Sequence, residues 1–402
     1  MVPKILIAHT LQWPNAARLA MAFQAADCRV DALCRRKHPL HKLASVERIY
    51  TYQPFAPLQS LRSAVARSNP DLIVPCDDGA VTLMHRLYSC PDGSRESAGR
   101  IRVMIENSLG RPEGYPVVAA RSRLASIAVP AGVLLPRTDP VRSLEDLKRW
   151  LGREGFPAVL KVDRTWGGRG VSVIRCMKEA ELAFRKMTGP QNVARTLKRL
   201  ICDQDPELYF QPSYGMSPVV SIQNFIRGKL ANCAVACWNG EVIAGIAVEV
   251  LATQSPTGNA TVVHVVCNPE IDRAARNIVG RLGMRGFCGL DFVLEETSGR
   301  PYLIEINPRA TQINHLALGS GRDLIGALRA RVAGEPVRGS PVTTDCDTIA
   351  LFPQEWRRNP ESGFLRTAYH DLPREEPALV EAYLAPPRER ARLLNIFRNN
   401  RA

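Results

Sequence analysis

The stretch "GLDFVLEETSGRPYLIEINPRA", residues 289–310, decides the fold. It contains two apolar runs joined by the polar segment "EETSGR", which is typical of a β-hairpin. Centring the turn on Ser298 places Asp291 directly opposite Glu305. Asn307 shares their face, and Arg309 follows the second strand. The opposite face is expected to pack into the core and carries Leu290, Phe292, Leu294, Tyr302, Ile304 and Ile306.

The facing carboxylates of this hairpin raise a physical problem. Two negative charges directly opposite each other destabilise a sheet unless water or a cation relieves the repulsion. Mg²⁺ prefers carboxylate and amide oxygens, so Asp291, Glu305 and Asn307 together predict a magnesium site. A solvent-facing sheet that happens to carry acidic residues is the alternative, and the hairpin alone favours neither.

The first eighty residues alternate between apolar strand-like runs and a helical pattern. Such alternation predicts a parallel α/β sheet, in which ligands lie beyond the carboxyl ends of the strands. His9, Thr10, Asp77 and Asp78 are therefore candidate contacts, and turn or helix-capping roles are alternatives for them. The segments are "KILIAH" (4–9), a helix over 15–26, "CRVDAL" (28–33) and "PDLIVPCDD" (70–78).

A glycine-rich turn follows a predicted strand in the middle of the chain. The strand is "FPAVLKV" (156–162), and the turn is "DRTWGGRGV" (163–171). Backbone amides of glycines can approach phosphate oxygens closely, and Lys161 would add positive charge. An ordinary hairpin turn, with Lys161 reaching water, is the alternative.

Three further elements complete the pattern. Ser143 is the expected N-cap of a helix over 143–151. The runs "CAVACW" and "EVIAGIAVEVL" flank Asn239-Gly240, the favoured dipeptide of a type I′ hairpin. The segment "IDRAARNIVGRLG" (271–283) is amphipathic and helical. The sequence after about residue 340 is rich in Pro and Arg and predicts no clear arrangement.

Composition limits the classes of function. The 402 residues carry a net charge of +14, but the Arg residues are spread along the chain without a basic stripe, so nucleic-acid binding is disfavoured. The sequence starts without a signal-peptide pattern and has no membrane-spanning run, which predicts a cytoplasmic protein without membrane partners. The 11 Cys show no metal-binding spacing, and reduced, mostly buried thiols are expected.

Taken together, these motifs resemble the ATP-grasp superfamily of ATP-dependent carboxylate–amine ligases. The resemblance is to the branch of carbamoyl phosphate synthetase, biotin carboxylase and D-alanine–D-alanine ligase, and it covers about residues 1–335. It rests on "FPAVLK" with the glycine turn, on "SIQNFIRG" (221–228), and above all on "GLDFVLE…YLIEINPR". It implies an amino-terminal parallel α/β domain followed by a two-lobed ATP-grasp fold. The implied domains are 1–112, the first lobe 113–225, the second lobe 226–340, and an extension 341–402.

The resemblance also implies roles for individual residues. Lys161 and Arg121 would bind ATP phosphates, and Arg309 would face the transferred phosphoryl group. Two Mg²⁺ (or Mn²⁺) ions would be held by the hairpin set. The glycines of the mobile loop would be Gly167, Gly168 and Gly170. The hinge that reads adenine would be Gln223, Asn224, Phe225 and Ile226. The substrate contacts would include Thr257, Gly258, Asn259, His315 and Asp77, with a helix-capping or core role as the alternative for His315.

The hinge departs from the family pattern at two positions. A Glu is usual where Gln223 or Asn224 stands, and Leu230 occupies a place that often carries a carboxylate for the ribose. The implied activity is nevertheless the activation of a carboxylate by ATP for attack by an amine. A carbamate-forming carboxylase and a nucleotide-binding protein without ligase chemistry are the alternatives. The oligomeric state is left open, with a homodimer among the candidates.

Overall fold

The computed structural model describes residues 2–90, 95–162, 170–189, 219–256, 258–337, 339 and 341–385. Three β-sheets organise this part of the chain. The first contains β1 to β4, the second β5 to β8, and the third and largest β9 to β15.

The amino-terminal sheet is parallel, as the sequence predicts, with strand order β3-β2-β1-β4. Helices cover both of its faces, so Ile5, Leu6 and Ile7 are fully buried. β3 was not predicted from the sequence. The strands are β1 (Lys4–Ala8), β2 (Arg29–Cys34), β3 (Arg48–Thr51) and β4 (Leu72–Pro75). The helices are α1 (Asn15–Ala25), α2 (Pro57–Ser68), α3 (Asp78–Ser89) and α4 (Arg95–Leu109).

Short helices lead from this sheet to the second one, which is antiparallel with strand order β5-β8-β6-β7. Ser143 caps α7 as predicted, because its hydroxyl accepts a hydrogen bond from the Asp146 amide. The helices are α5 (Tyr115–Val118), α6 (Leu124–Ala128), α7 (Leu144–Glu154) and α8 (Met177–Thr188). The strands are β5 (Thr138–Val141), β6 (Ala158–Val162), β7 (Val171–Ile174) and β8 (Val220–Asn224).

The largest sheet has the strand order β13-β12-β9-β10-β11-β14-β15. Both predicted hairpins belong to it, and the turn of the first has positive φ at Asn239 (52°) and Gly240 (83°), as a type I′ turn requires. The strands are β9 (Gly228–Trp238), β10 (Glu241–Thr253), β11 (Ala260–Val266), β12 (Gly286–Glu295), β13 (Pro301–Asn307), β14 (Thr348–Ala350) and β15 (Tyr369–His370). The helices α9 (Pro269–Leu282) and α10 (Leu324–Ala333) pack against it.

The second hairpin corrects one part of the sequence prediction. Asp291 does pair with Glu305, but a β-bulge follows and Phe292 pairs with Leu303. The bulge moves the register by one residue, so Leu303 enters the core beside Leu290. The expectation that Tyr302 and Ile304 face the core is therefore wrong, since both are only half-buried.

The carboxyl-terminal tail, described over 341–385, is structured. β14 pairs with β11, and β15 runs parallel to β14, so the tail extends the largest sheet. Leu379 and Tyr383 join the core that also contains residues of the amino-terminal sheet. The tail helices are α11 (Gln354–Arg358), α12 (Phe364–Thr367) and α13 (Pro377–Leu384).

The cysteines are free thiols in the described residues, and six of the ten there are buried, which confirms that most are core residues. They are Cys28, Cys34, Cys76, Cys233, Cys237 and Cys288. No helix among the described residues has the length and apolarity needed to cross a membrane.

Candidate active site

A cavity of about 560 Å³ lies between the second and third sheets. Its volume falls in the range of small-molecule sites. It brings together ten residues that the sequence singled out, from segments up to 148 residues apart (309 − 161). They are Lys161, Gln223, Phe225, Ile226, Gly258, Asn259, Asp291, Glu305, Asn307 and Arg309.

The carboxylate pair lies on the cavity wall formed by β12 and β13. Asn232 Nδ2 donates to Asp291 Oδ1 at 2.6 Å, and Asn307 Nδ2 donates to Asp291 Oδ2 at 3.0 Å. Burial, reinforced by the neighbouring charge of Glu305, raises the pKa of Asp291 to about 6. The amides compensate only part of this repulsion, so the site gains from an added cation.

The donor set fits Mg²⁺ on chemical grounds. Two carboxylates and one amide oxygen are hard ligands, and the raised pKa of Asp291 is what burial beside a second carboxylate produces. In the described residues no group of three or more His, Cys, Asp or Glu side chains could hold a metal ion. A metal here would therefore rest on Asp291, Glu305 and the Asn307 oxygen, together with ligands from a bound substrate.

Arg309 is held from three sides. Its Nε donates to Asp78 Oδ1 at 2.9 Å, and its Nη2 donates to Asn307 Oδ1 at 3.0 Å. The guanidinium also lies 5.2 Å from the ring centre of Trp13. Burial alone would lower the pKa of Arg309, but Asp78 raises it above its ordinary value, so the group stays charged. The positively charged guanidinium of Arg309 therefore lies beside the carboxylate pair.

Lys161 reaches the site from the opposite wall. It occupies β6, is 8% exposed, and its Nζ lies 3.5 Å from the Ile304 carbonyl oxygen. That oxygen belongs to the bulge beside Glu305, so Lys161 bridges the two sheets at the cavity. The bulge thus places both Ile304 and Glu305 on the cavity wall.

Next to Lys161 the cavity is lined by apolar side chains, which we call the apolar slot. Val159 and Val173 form one side of it, and Phe292 and Val293 line it from the other sheet. The hinge contributes Gln223, Phe225 and Ile226, and Leu230 follows on β9. Such a slot can take a flat heterocycle, and Leu230 gives it an apolar contact where the family often has a carboxylate.

Several predicted residues do not line the cavity. Asn224 is half-buried at the end of β8, and its backbone amide donates to the Arg137 carbonyl oxygen. Gly170 accepts a hydrogen bond from the Val162 amide. The side chain of Arg121, together with Gly167, Gly168 and Thr257, lies outside the described residues.

Asp77 has a structural role. It is fully buried and caps α3, and it also accepts hydrogen bonds from the amides of Thr10 and Leu11. His9 is packed beside it, and burial lowers the pKa of His9 to about 3, which leaves it neutral. The helix-capping alternative therefore describes Asp77, and the prediction of a substrate contact has no support here.

His315 also lies away from the cavity. Its Nε2 is 2.7 Å from Asp371 Oδ2, and Arg18 donates to the same carboxylate. The His315 side chain is 5% exposed. This network ties α1 to the tail, so the structure favours the core alternative for His315 over a substrate contact.

Sequence reasoning missed several residues of the site, among them Asn232, Trp13, Gln354 and Arg357. Asn232 could have been found, because it lies opposite Asp291 on β9 and alternates with core residues. Trp13, Gln354 and Arg357 line the cavity from the amino-terminal domain and the tail. No local pattern marks these three, since only the tertiary fold brings them to the cavity.

Comparison with known proteins finds a family match for part of the chain. Residues 200–312 match the family described as "ATP-grasp domain", and this range contains the hinge and the whole carboxylate hairpin. This part of the chain, 113 of its 402 residues (312 − 200 + 1), is similar to an ATP-grasp domain. The ATP-grasp resemblance predicted from the sequence is thereby confirmed.

An ATP-grasp relative with similar sequence is the carbamoyl phosphate synthase arginine-specific large chain of Geobacillus stearothermophilus. It is 22% identical over 289 residues, which cover 69% of this chain and 25% of that one. The chain thus matches about a quarter of the length of this relative.

Two solved ATP-grasp structures show the same fold. The biotin carboxylase domain dimer of the Hydrogenobacter thermophilus 2-oxoglutarate carboxylase has a TM-score of 0.59 at 16% identity, covering 84% of this chain and 71% of that one. The L-amino acid ligase of Bacillus licheniformis has a TM-score of 0.56 at 16% identity, covering 84% and 78%. The predicted α/β and ATP-grasp fold class is confirmed.

Proposed function

We propose that the protein is an ATP- and Mg²⁺-dependent ligase that activates a substrate carboxylate as an acyl-phosphate for attack by an amine. The observation that carries the proposal is the convergence of Lys161 and Arg309 on the Asp291–Glu305 pair in one cavity. Phosphoryl transfer depends mainly on positioning and on neutralising charge, and this wall supplies both. The ATP-grasp family match supports it.

Each group of side chains has its own role in the proposed reaction. The apolar slot beside the hinge takes the adenine, and Lys161 neutralises phosphate charge. Asp291, Glu305 and Asn307 would hold Mg²⁺, which would screen the charge of the phosphate oxygens. Arg309, kept charged by Asp78, faces the γ-phosphoryl group and stabilises the negative charge that develops there.

The proposed reaction has two steps, phosphorylation of the carboxylate and attack by the amine. A carboxylate oxygen attacks the γ-phosphorus, the bond to the β,γ-bridging oxygen breaks, and ADP leaves. The amine then attacks the acyl carbon, the acyl–oxygen bond breaks, phosphate leaves, and the nitrogen gives up a proton. The roles of Arg121, of Gly167, Gly168 and Gly170, and of Gly258 with Asn259 stay predictions within this scheme, as do the four domain boundaries.

The proposal is tested with Glu305→Ala. Removing one carboxylate of the pair is expected to lower Mg²⁺-dependent ADP formation by about 10²–10³-fold or more, because metal and phosphate positioning are lost. ADP release is measured with a panel of carboxylates and amines, with products identified by mass. Glu295→Ala, at the far end of the same hairpin, is the matched control and should keep full activity. Full activity of Glu305→Ala would refute the metal assignment.

A carbamate-forming carboxylase is the second candidate, favoured by the relatives that are carbamoyl phosphate synthase and a biotin carboxylase domain. Bicarbonate-dependent ADP release without any added organic acid would support it. The cytoplasmic location stays a prediction. A homodimer is also a prediction, which sedimentation equilibrium would test; the biotin carboxylase domain above is a dimer.

A further inference from the structure

One part of the cavity is not used by the proposed ATP site. Its walls come from the loop after β1, from the segment after β13, and from the carboxyl-terminal tail. The residues are Gln12, Trp13, Asn15, Gln312, Gln354 and Arg357. We call them the tail compartment. The tail therefore forms part of the site.

The tail compartment has a distinctive charge pattern. Among the described residues that line the whole cavity, the only carboxylates are Asp291 and Glu305, and both belong to the proposed metal site. Arg357 is the only charged residue of the tail compartment. Its neighbour Arg358, in contrast, is paired with Glu355. An arginine that has no acidic partner among the described residues is suited to an anionic ligand.

The tail holds Arg357 in place. Its Nε donates to the Tyr383 carbonyl oxygen at 3.1 Å, and its Nη2 donates to the same oxygen. No described carboxylate pairs with Arg357, and no described residue accepts from its Nη1. The guanidinium is therefore oriented while one of its nitrogens remains available, which reduces the entropy lost when a ligand binds.

The loop over 12–15 connects the two arginines of the cavity. Trp13 stacks against Arg309, and the next residue, Pro14, accepts a hydrogen bond from the Tyr383 hydroxyl at 2.9 Å. Tyr383 in turn holds Arg357. Both arginines are thus connected to one loop, Arg309 directly and Arg357 through Tyr383, and both line the same cavity.

We propose that Arg357 binds a second anionic oxygen group of the substrate whose first carboxylate is activated at Arg309. The substrate is then a small dianion, a dicarboxylate or a phosphorylated carboxylate. This inference rests on the proposed ligase function, because Arg309 faces the activated carboxylate only in that scheme. The tail compartment selects the substrate, and the metal site performs the chemistry.

The test compares matched ligands with and without a second anionic group. Succinate is paired with succinamate, glutarate with glutaramate, and O-phospho-L-serine with L-serine. Binding to the full chain is measured by titration calorimetry without nucleotide, and ADP release is measured with MgATP. The wild type should bind at least one dianion about 10- to 100-fold more tightly than the counterpart that lacks the second anionic group, as expected for a charge-assisted hydrogen bond.

Arg357→Gln should abolish the preference for the dianion. Binding of the counterparts that lack the second anionic group should be unchanged, which also shows that the variant is folded. Arg357→Lys should keep part of the preference, because it retains the charge but not the planar fork. Arg366→Gln is the matched control, since Arg366 is exposed on the same tail and outside the cavity. Comparing the two carboxylate pairs with the phosphoserine pair shows whether the site recognises a carboxylate or a phosphate group.

Each outcome decides between the proposals. A wild type without preference for any dianion, or an Arg357→Gln variant that keeps the preference, overturns the role of Arg357. Dianion binding that depends on Arg357 without any ADP release overturns the ligase function alone. ADP release whose substrate preference is insensitive to Arg357 leaves the ligase function standing and rejects this inference.

Discussion

Arg309 shows how one residue is prepared by parts of the chain that are far apart. Its partner Asp78 comes from α3, 231 residues earlier, and the Asp78 side chain is 27% exposed. The pair fixes the guanidinium before any substrate arrives. Asp78 does not line the cavity itself and acts through Arg309, so it is a positioning residue.

Asp78→Asn should therefore lower kcat of the proposed ligase by about 10- to 100-fold, because the guanidinium is less well placed for the phosphoryl group. The Michaelis constant for MgATP should change little, since the apolar slot and Lys161 are intact. Steady-state kinetics at varied ATP separate the two effects. Asp78→Glu should restore part of the activity. An effect on the ATP Michaelis constant alone would contradict the positioning role.

The raised pKa of Asp291 has two consequences for pH dependence. Its pKa moves from 3.8 to about 6 in the folded protein, so the folded state binds more protons than the unfolded chain between these values. This carboxyl group's contribution to the free energy of unfolding is therefore favourable at low pH and is lost as pH rises through that window. Urea unfolding of the metal-free protein at pH 4–7 checks this sign.

Mg²⁺ affinity should show the opposite trend. Binding requires the ionised carboxylate, so affinity should fall about tenfold per pH unit below about pH 6. Calorimetric titration of Mg²⁺ with the wild type across that range measures the slope. Asp291→Asn should bind weakly and lose most of the pH dependence. A wild-type affinity that is constant from pH 5 to 7 would exclude Asp291 as a ligand.

At the scale of elements, the sequence predicted strand pairing where residues close in the chain determine it. The turn at Ser298 and the alternation around it predicted the Asp291–Glu305 pair, which the register confirms. The bulge that follows was not predictable, because no residue type marks it. Arg357 was missed for a similar reason, since the tail carries no periodic pattern that ties it to the site.

Gly228 shows how tightly the start of β9 is packed. A Cβ atom there would lie 1.9 Å from the Leu294 carbonyl oxygen, so β9 and β12 would have to separate just after the hinge. Gly228→Ala should reduce the free energy of unfolding by about 1–3 kcal/mol and weaken nucleotide binding. Urea unfolding and nucleotide titration measure these effects.

Gly152→Ala is the control for this prediction. Gly152 lies in α7, with no neighbouring atom within 4 Å of an added Cβ. Its replacement should stabilise the protein by about 0.5–1 kcal/mol, because alanine has a lower entropy cost in a helix. If both substitutions had the same small effect, close packing of β9 on β12 would be disproved.

At the scale of the whole molecule, the tail joins the amino-terminal domain to the largest sheet. Tyr383 is 3% exposed and lies in the same core cluster as Phe23 and Phe352. Tyr383→Ala should lower the free energy of unfolding by about 3–5 kcal/mol, as expected for a large side chain lost from a core. Tyr383→Phe should cost only about 1 kcal/mol, for the hydrogen bond to Pro14. Urea unfolding of both variants compares them, and equal costs would show that packing contributes little.

The bond between Pro14 and Tyr383 joins positions 369 residues apart. During translation the amino-terminal sheet is complete long before α13 exists. At about 5–20 residues per second, roughly 20–70 seconds pass between the synthesis of the two partners. For that time the loop over 12–15 is without the tail that later packs against it. The compartment that contains Arg357 is thus the last part of the cavity to be assembled on the ribosome.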